Sequence, residues 1–585
     1  MNDLDYEIYA ETLFNAIEHN GKASTQAVLG KILAKHQELR SKVKEILKIV
    51  EQFTIKVNSL SYEEQKIELE KYKSYLSIKQ KPQEEKDLPD IPNRPERVVT
   101  RFAPNPDGPL HIGNLRAAVL SYKYAKKYGG KFILRFEDTD PKIKPPLLKA
   151  YDWIQEDLKW LGLEWDELYI QSDRLELYYE YARRLIANDD AYVCECTQEV
   201  FKNYKNSGLA CPHRDRKDSL VLFEKMIAGN IEEGKAVLRL KTSMHESNPA
   251  LRDPPLMRVI DTRKNPHPRI GSKYYVFPLY NFSAALDDSL MGVTLIFRGK
   301  EHLTNSLIQT EIQKKLGLST PFSIQYGRLK LEGYILSKSK IRSTILSGQL
   351  IDFPSFCDGW DDPRLATLMA LRRRGFQPKA LIDLIIDVGF KPSEATISWD
   401  NLATLNRRVV EPKANRLFLT LDPVKLVVRN VPKELSEIVE LPLHPSYPAM
   451  GFRKIKLKII ENTIDVYISG SDALSLKPGD KLRLMELFNI KIFGKDHEKL
   501  IADYESKSIE ELGGQRVPIF QWVPANDSVR ATLFIANGMN LYVKKGFIES
   551  SVRLIEKGSV VQLVRIGYAR LDELSEEANL IFTHD

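Results

Sequence analysis

The sequence predicts a multidomain α/β protein: a parallel sheet covered by helices, with a helical domain before it and all-β domains after it. Three observations carry this. Between Val98 and about residue 335, strand-like and helix-like runs alternate, the pattern of parallel βαβ units. Residues 1–80 carry apolar side chains at helical spacing. From about Arg416 onward, short alternating runs are separated by Gly, Pro, Asn and Asp, as in barrels or sandwiches. A chain of 585 residues has room for about four domains at roughly 150 residues each.

Taken in order, the stretch KILAKHQELRSKVKEILKIVEQF places Ile32, Leu33, Leu39, Val43, Ile46, Leu47 and Val50 near helical spacing, with Lys and Glu on the other face. This reads as a small bundle with a solvated charged surface. Residues 81–96 hold Pro82, Pro89, Pro92 and Pro95 among charges, which neither a helix nor a central strand tolerates, so this segment is a linker. The α/β domain spans 97–335. VVTRFA and KFILRFE read as its strands, LRAAVLSYKYAKKYG and LLKAYDWIQEDLKWLG as its helices. An insertion at about 191–265 holds three cysteines, a helix at LVLFEKMIAG and a strand at AVLRLK. Residues 336–415 read as helical and 416–585 as β.

Net charge is +7, which permits a polyanionic partner without demanding one. No run of about 18 uncharged apolar residues occurs, so no membrane span is expected. The acidic start MNDLDYEIYAETLF lacks the basic n-region of a signal peptide. Four cysteines are too few for a disulfide scaffold and point to a reducing cytoplasm.

The segment TRFAPNPDGPLHIGNLRAAV runs from a strand through a Pro- and Gly-punctuated loop into a helix. Ligands in parallel sheets sit beyond the strand carboxyl ends, and a helix N-terminus there suits phosphate. Gly108 and Gly113 permit close backbone approach, and His111 supplies a donor. Later comes GRLKLEGYILSKSKIR, alone an exposed basic hairpin. LRFEDTDP crowds Glu137, Asp138 and Asp140 at a strand end, where a capped turn is the plain reading. Cys194, Cys196, Cys211 and His213 form C-x-C-x14-C-x-H. Three thiolates and an imidazole suit tetrahedral Zn2+ with no open position; the alternative is three small buried residues and a surface His. Cys357 lies apart and reads as a core residue.

Together these strings resemble the class I aminoacyl-tRNA synthetases, in the form of the archaeal and eukaryotic glutamyl and glutaminyl enzymes. PNPDGPLHIGN resembles the HIGH signature, with Asn114 at its last His, and ILSKS at 335–339 resembles the KMSKS loop, with Ile335 and Leu336 replacing Lys and Met. FPLYNFSAALDDSLMGVTLIFRGKEHL and GWDDPRLATLMALRRRGF resemble further family segments. The resemblance covers most of 96–415. It implies a Rossmann-like catalytic domain split by an acceptor-binding insertion, a helical stem-contact region and two anticodon-binding barrels. It implies His111, Asn114 and Lys338 as catalytic, with Lys340 and Arg342 as substitutes for the missing loop Lys. Pro104, Asn105, Gly108, His111, Gly113, Asn114, Ser337, Lys338 and Ser339 would surround ATP, which brings Mg2+. Arg101, Ala103, Glu137, Tyr280 and Arg298 would hold the amino acid, supported by Asp287, Asp288, Gly299 and Glu301. Glu137 would receive the substrate ammonium.

The two enzymes differ by one group, a γ-carboxylate against a γ-amide. Arg101 and Arg298 would pair with the carboxylate, whereas a guanidinium cannot accept from an amide NH2. The expected activity is therefore glutamate–tRNA ligation on tRNA(Glu), with tRNA(Gln) as a further acceptor. The alternatives are a glutaminyl enzyme and a non-catalytic tRNA-binding scaffold. Zinc at the cysteine cluster would stiffen the insertion. Arg372, Arg373, Arg374, Arg407, Arg408 and Arg416 read individually as solvated surface charges that could meet tRNA backbone. The enzyme is expected to be a monomer whose N-terminal helical domain docks a partner protein.

Overall fold

The computed structural model describes residues 3–19, 21–36, 39, 42–76, 88–350, 352–496, 499–512 and 516–585. Residues 77–80 of the expected helical stretch and 81–87 of the expected linker, with Pro82, lie outside the described residues. The chain forms two compact units, one of residues 86–372 with 376–406 and one of the two ends with 373–375.

The N-terminal helices are α1 (Asp3–Glu18), α2 (Thr25–Lys35), α3 (Val43–Asn58) and α4 (Tyr62–Tyr72). The periodic stretch thus contributes to two helices, α2 and α3. α3 buries Ile46, Val50, Thr54 and Val57, a single stripe. Tyr9, Leu13, Phe14 and Ile17 of α1 fill the bundle core. The bundle also rests on the chain's own β region. Phe14 lies 5.9 Å from Phe452, ring to ring, and Lys66 pairs with Glu440 at 3.2 Å.

In the other unit the elements follow as β1 (Val99–Phe102), α5 (Leu115–Lys127), β2 (Lys131–Phe136), α6 (Leu148–Trp160), β3 (Glu167–Ile170) and α7 (Leu175–Ala187). The insertion contributes β4 (Ala191–Cys194), α8 (Gln198–Ser207), α9 (Ser219–Ile227), β5 (Val237–Leu240), β6 (Pro255–Val259) and β7 (Val276–Pro278). Then come α10 (Tyr280–Leu290), β8 (Leu295–Gly299), α11 (Leu303–Lys315), β9 (Phe322–Tyr326), β10 (Leu329–Leu331) and α12 (Lys338–Leu346). The central sheet has the order β3-β2-β1-β8-β9, parallel throughout, so all five carboxyl ends share one edge. Strands buried on both faces need near-continuous apolar runs, and β1 and β8 are buried at every position. α5 lays Leu115, Ala118, Val119 and Tyr124 on the sheet and ends in Lys126 and Lys127, which suit the helix dipole. Gly129 then turns the chain at φ 61°. A Cβ on Gly130 would meet the Val98 carbonyl oxygen at 1.9 Å, so only glycine fits.

The insertion folds as an antiparallel sheet of order β4-β5-β6-β7. It runs to Pro278, past the end near 265 that sequence gave no reason to extend, because β7 is a three-residue run too short to show a period.

The β region contains two seven-stranded sheets whose strands interleave along the chain. Val424–Arg429, Ile464–Ile468, Lys481–Leu484, Asn489–Asp496 and Lys499–Ser506 form one, closed by Ile519–Phe520 and Val523–Pro524. Arg416–Leu417 and Leu419–Leu421 instead join the sheet of Ser528–Asn537, Asn540–Glu549, Val560–Leu563, Gly567–Leu574 and Glu577–His584. Arg373 and Arg374, expected as solvated, are 6% and 1% exposed. Arg373 pairs with Asp572 at 2.7 Å: a run of three arginines on a helix must place some inward, and here a carboxylate meets one of them. Among the described residues no helix is long and apolar enough to cross a membrane.

Candidate active site

A cavity of about 840 Å³ opens at the carboxyl edge of the central sheet. Of the expected site residues, Arg101, Ala103, Pro104, Asn105, His111, Gly113, Asn114, Glu137, Tyr280 and Arg298 line it; Gly108, Ser337, Lys338 and Ser339 do not.

The β1–α5 loop forms the first wall. His111 caps a 3-10 turn, Ile112–Asn114: its Nδ1 accepts from the Gly113 N–H at 3.1 Å, and its own N–H donates to Asn114 Oδ1 at 3.0 Å. Nδ1 being an acceptor, the ring proton sits on Nε2. Burial, then the nearby Lys338, lowers the His111 pKa to about 3, so the ring is a neutral donor at pH 7. Asn114 spends its carbonyl on the cap and keeps its amide N–H2 as donor. The two glycines of this loop are also bounded by side chains. A Cβ on Gly108 would meet the Trp360 ring at 2.8 Å, and one on Gly113 would meet the His111 ring at 2.9 Å. They make room for the chain's own rings.

Lys338 opens α12 and reaches beneath this loop. Its Nζ donates to the Asn105 carbonyl at 2.8 Å and the Gly108 carbonyl at 3.0 Å, and pairs with Asp107 at 3.3 Å. Burial lowers its pKa, against the pull of Asp107. Ser337 and Ser339 lie beside it, hydroxyl oxygens 3.3 Å apart. Asp107 was not singled out from sequence; a carboxylate inside the signature loop was the available signal.

The second wall is a charge network at the ends of β1, β2 and β8. Arg101 Nε lies 3.1 Å from Asp288 Oδ1, and Arg135 Nη1 lies 2.8 Å from the same oxygen. Arg135 Nη2 lies 3.0 Å from Glu137. Burial alone would raise Asp288; Arg101, Arg135 and Arg298 overcome it and hold the carboxyl below the usual range. Glu137 goes the other way, raised by burial despite Arg135 and Arg101. Arg135 is the residue sequence reading missed. It stands two positions before Glu137, hence on the same face of a strand, and that spacing was visible. Beneath, Asp287 accepts from Gln171 at 3.0 Å, Arg174 at 2.9 Å and Tyr178 at 2.7 Å, and so anchors α10 rather than the ligand. Glu301 and Gly299 line the cavity.

Away from this cavity, the insertion gathers Cys194, Cys196, Cys211 and His213, whose ligand atoms all lie within 4.8 Å of one another. Cys211 Sγ is 3.5 Å from Cys194 Sγ and 3.4 Å from Cys196 Sγ; His213 Nδ1 is 3.4 Å from Cys211 and 3.5 Å from Cys196. These are not disulfide lengths, which are near 2.05 Å. They approach the edges of about 3.8 Å that zinc–sulfur bonds of about 2.3 Å make in a tetrahedron. Burial pushes the Cys211 thiol up to about 12 and also raises that of Cys196.

Residues 97–412 match the family model of the catalytic domain of class I (E and Q) tRNA synthetases. Residues 414–505 and 519–572 match the two anti-codon binding domain models of the same group. The chain belongs to this family: a class I catalytic domain with an α/β core, an N-terminal helical region and C-terminal β half-barrel domains. It is 46% identical over 579 residues to the glutamate–tRNA ligase of Thermococcus onnurineus, covering 98% of both chains. It is 45% identical over 580 residues to that of Pyrococcus furiosus, again covering 98% of both. Against the glutamate–tRNA ligase of Sulfolobus acidocaldarius it is 44% identical over 591 residues, covering both chains fully.

Proposed function

We propose that this protein is a glutamate–tRNA ligase, activating L-glutamate with ATP and transferring it to the 3′ end of tRNA(Glu). The observation that carries the choice of amino acid is the charge of the second wall. Arg101 and Arg135 pair with Asp288 and Glu137 there, whereas Arg298 is held by the neutral oxygens of Ser306 and Gln309, which leaves its positive charge uncancelled. A γ-carboxylate cancels it, and a γ-amide leaves a buried cation unpaired at a cost of several kcal/mol, roughly 3–5.

In this reading Arg298 and Arg101 receive the γ-carboxylate and Glu137 the ammonium, with Tyr280 beside them. Ala103 lines the amino-acid side, and Pro104 and Asn105 carry the nucleotide, which arrives as MgATP. A glutamate α-carboxylate oxygen attacks the α-phosphorus, and the bond to the pyrophosphate oxygen breaks. His111 Nε2–H, a donor with no charge of its own to be screened, and Lys338, once released from Asn105 and Gly108, stabilise the added negative charge. A terminal ribose hydroxyl of tRNA then attacks the acyl carbon and AMP leaves. Domain roles follow: 1–80 a helical domain, 81–96 a linker, 97–335 catalytic, the insertion from about 191 on the acceptor end, 336–415 on the stem, and 416–585 on the anticodon. Cys194, Cys196, Cys211 and His213 would hold zinc. All four positions being protein ligands, it would supply folding energy to the insertion and no catalytic water. The work belongs in the cytoplasm, where such thiols stay reduced.

The test is aminoacylation of purified tRNA(Glu) and tRNA(Gln), each offered labelled glutamate or glutamine with ATP. Charging with glutamate is expected. Charging with glutamine alone would overturn the charge argument while leaving the class intact, and the tRNA(Gln) arm decides whether that acceptor is also used.

A further inference from the structure

Arg298, on β8, is 5% exposed and differs from Arg101 and Arg135. Arg101 and Arg135 lie against Asp288. Arg298 is held by neutral oxygens. Its Nη1 donates to Ser306 Oγ at 2.9 Å and to Gln309 Oε1 at 2.8 Å, which uses both Nη1 protons. Nη2 makes one long contact, 3.5 Å to the Tyr280 hydroxyl, and Nε is buried with no partner. The Nε–Nη2 edge is the fork that takes a carboxylate side-on. The fork is therefore left short of partners while the opposite end of the guanidinium is clamped.

The clamp comes from α11. Ser306 and Gln309 are three apart and share a helix face. Each is held in the acceptor orientation. Ser306 gives its proton to the His302 carbonyl at 3.1 Å, so a lone pair faces Arg298. Gln309 Nε2 donates to Asn281 Oδ1 of α10 at 3.3 Å, so its oxygen and not its NH2 faces the arginine. Gln309 is 4% exposed, and one turn on Gln313 donates to the Ala285 carbonyl at 3.0 Å, fixing α11 on α10.

We propose that Gln309 is a specificity-determining positioning residue: it orients Arg298 without cancelling its charge, so that the pocket keeps one cation for a γ-carboxylate. The inference rests on the glutamate reading above and deepens it. A glutamate at 309 would orient Arg298 equally well, but would neutralise it as Asp288 neutralises Arg101. The pocket would then prefer a neutral amino acid of the same length.

The experiment measures kcat and KM for glutamate, glutamine and ATP in aminoacylation, for the full-length wild type, Gln309→Glu and Gln309→Met. In Gln309→Glu, glutamate kcat/KM is expected to fall about 100-fold, mainly through KM, as an uncancelled buried charge pair predicts. Glutamine use should hold or rise and the ATP KM should stay within about twofold, so the glutamate-over-glutamine ratio collapses. Gln309→Met keeps the charge and removes one clamp oxygen: glutamate KM should rise about tenfold, the worth of one charge-assisted hydrogen bond, with preference for glutamate retained. An unchanged ratio in Gln309→Glu, with ATP KM preserved, overturns the proposal. If that variant melts without the wild-type transition, Gln309→Met decides, and an unchanged glutamate KM there overturns it too. A wild type that charges no glutamate refutes the function proposed above instead, and the two failures are thereby distinguished.

Discussion

Asp157 offers a stability test of the signature loop. It lies on α6, fully buried. Its Oδ2 accepts from the Leu110 N–H at 3.1 Å, one residue before His111, and its Oδ1 has no partner. Burial raises its pKa to about 7, against the Leu110 N–H, Arg372 and Lys338, with Glu156 adding to the rise. In the unfolded chain the midpoint is about 3.9. An acid that binds its proton more tightly when folded loses stability as pH climbs above the unfolded midpoint, and the loss is complete once pH passes the folded one. About three pH units between the midpoints corresponds to roughly 4 kcal/mol, an upper figure because local opening admits water. Asp157→Asn keeps the oxygen that Leu110 needs and cannot ionise. Its Tm should match the wild type near pH 4, exceed it increasingly from pH 4 to 7, and stay higher by a constant amount above about pH 7.5, by roughly 5 °C or more for a unit of this size. Calorimetry of both proteins at pH 4, 5, 6, 7 and 8 reads this directly. A Tm difference that does not change with pH, or a variant less stable at pH 8, would refute the assignment of a strained carboxylate.

Other outcomes follow from the same geometry. Arg298→Gln should lower glutamate kcat/KM about 100-fold while changing glutamine use less than about fivefold, since the lost partner is charged; parallel charging assays with the two amino acids read the split. Lys338→Met should lower kcat about 100-fold or more with the glutamate KM nearly unchanged, the pattern of an interaction made in the transition state, seen in single-turnover kinetics. Gly108→Ala drives a methyl into the Trp360 ring at 2.8 Å and should cost about 1–3 kcal/mol, measured by thermal melting. Cys211→Ser should abolish stoichiometric zinc in elemental analysis and raise the tRNA KM more than the glutamate KM.

Much of the site was legible because its residues sit at strand ends in a parallel sheet. Arg101 and Arg298 each stand within a short apolar run that reads as a buried strand, with Glu137 just past the end of another, and a charge there must face a ligand or a partner. What sequence could not give was which of these charges cancel. Asp288 meets Arg101 across 187 positions, and no local pattern announces that. Nor could it say where Lys338 points, since the Asn105 and Gly108 carbonyls that receive it lie 233 and 230 positions earlier. The helical bundle was visible from the stripe of α3, but its rest on Phe452 and Glu440 depends on contacts made far along the chain. Arg373 and Arg374 read as solvated because a basic triplet on a short helix looks the same exposed or buried. The extent of the insertion was lost on β7 for want of length.

The interleaving of the two β sheets sets an order of events during synthesis. Leu419–Leu421 pairs with Gly546–Ile548, and Arg416–Leu417 with Gln562 and Leu563, so the strands that open the region wait more than a hundred residues for their neighbours. At ribosomal speeds of about 5–20 residues per second, they spend several seconds as unpaired edges, which are templates for wrong pairing. The last strand, Glu577–His584, lies between Ser528–Asn537 and Gly567–Leu574 and is made after both. The centre of that sheet is thus filled only after the strands on either side of it have been made.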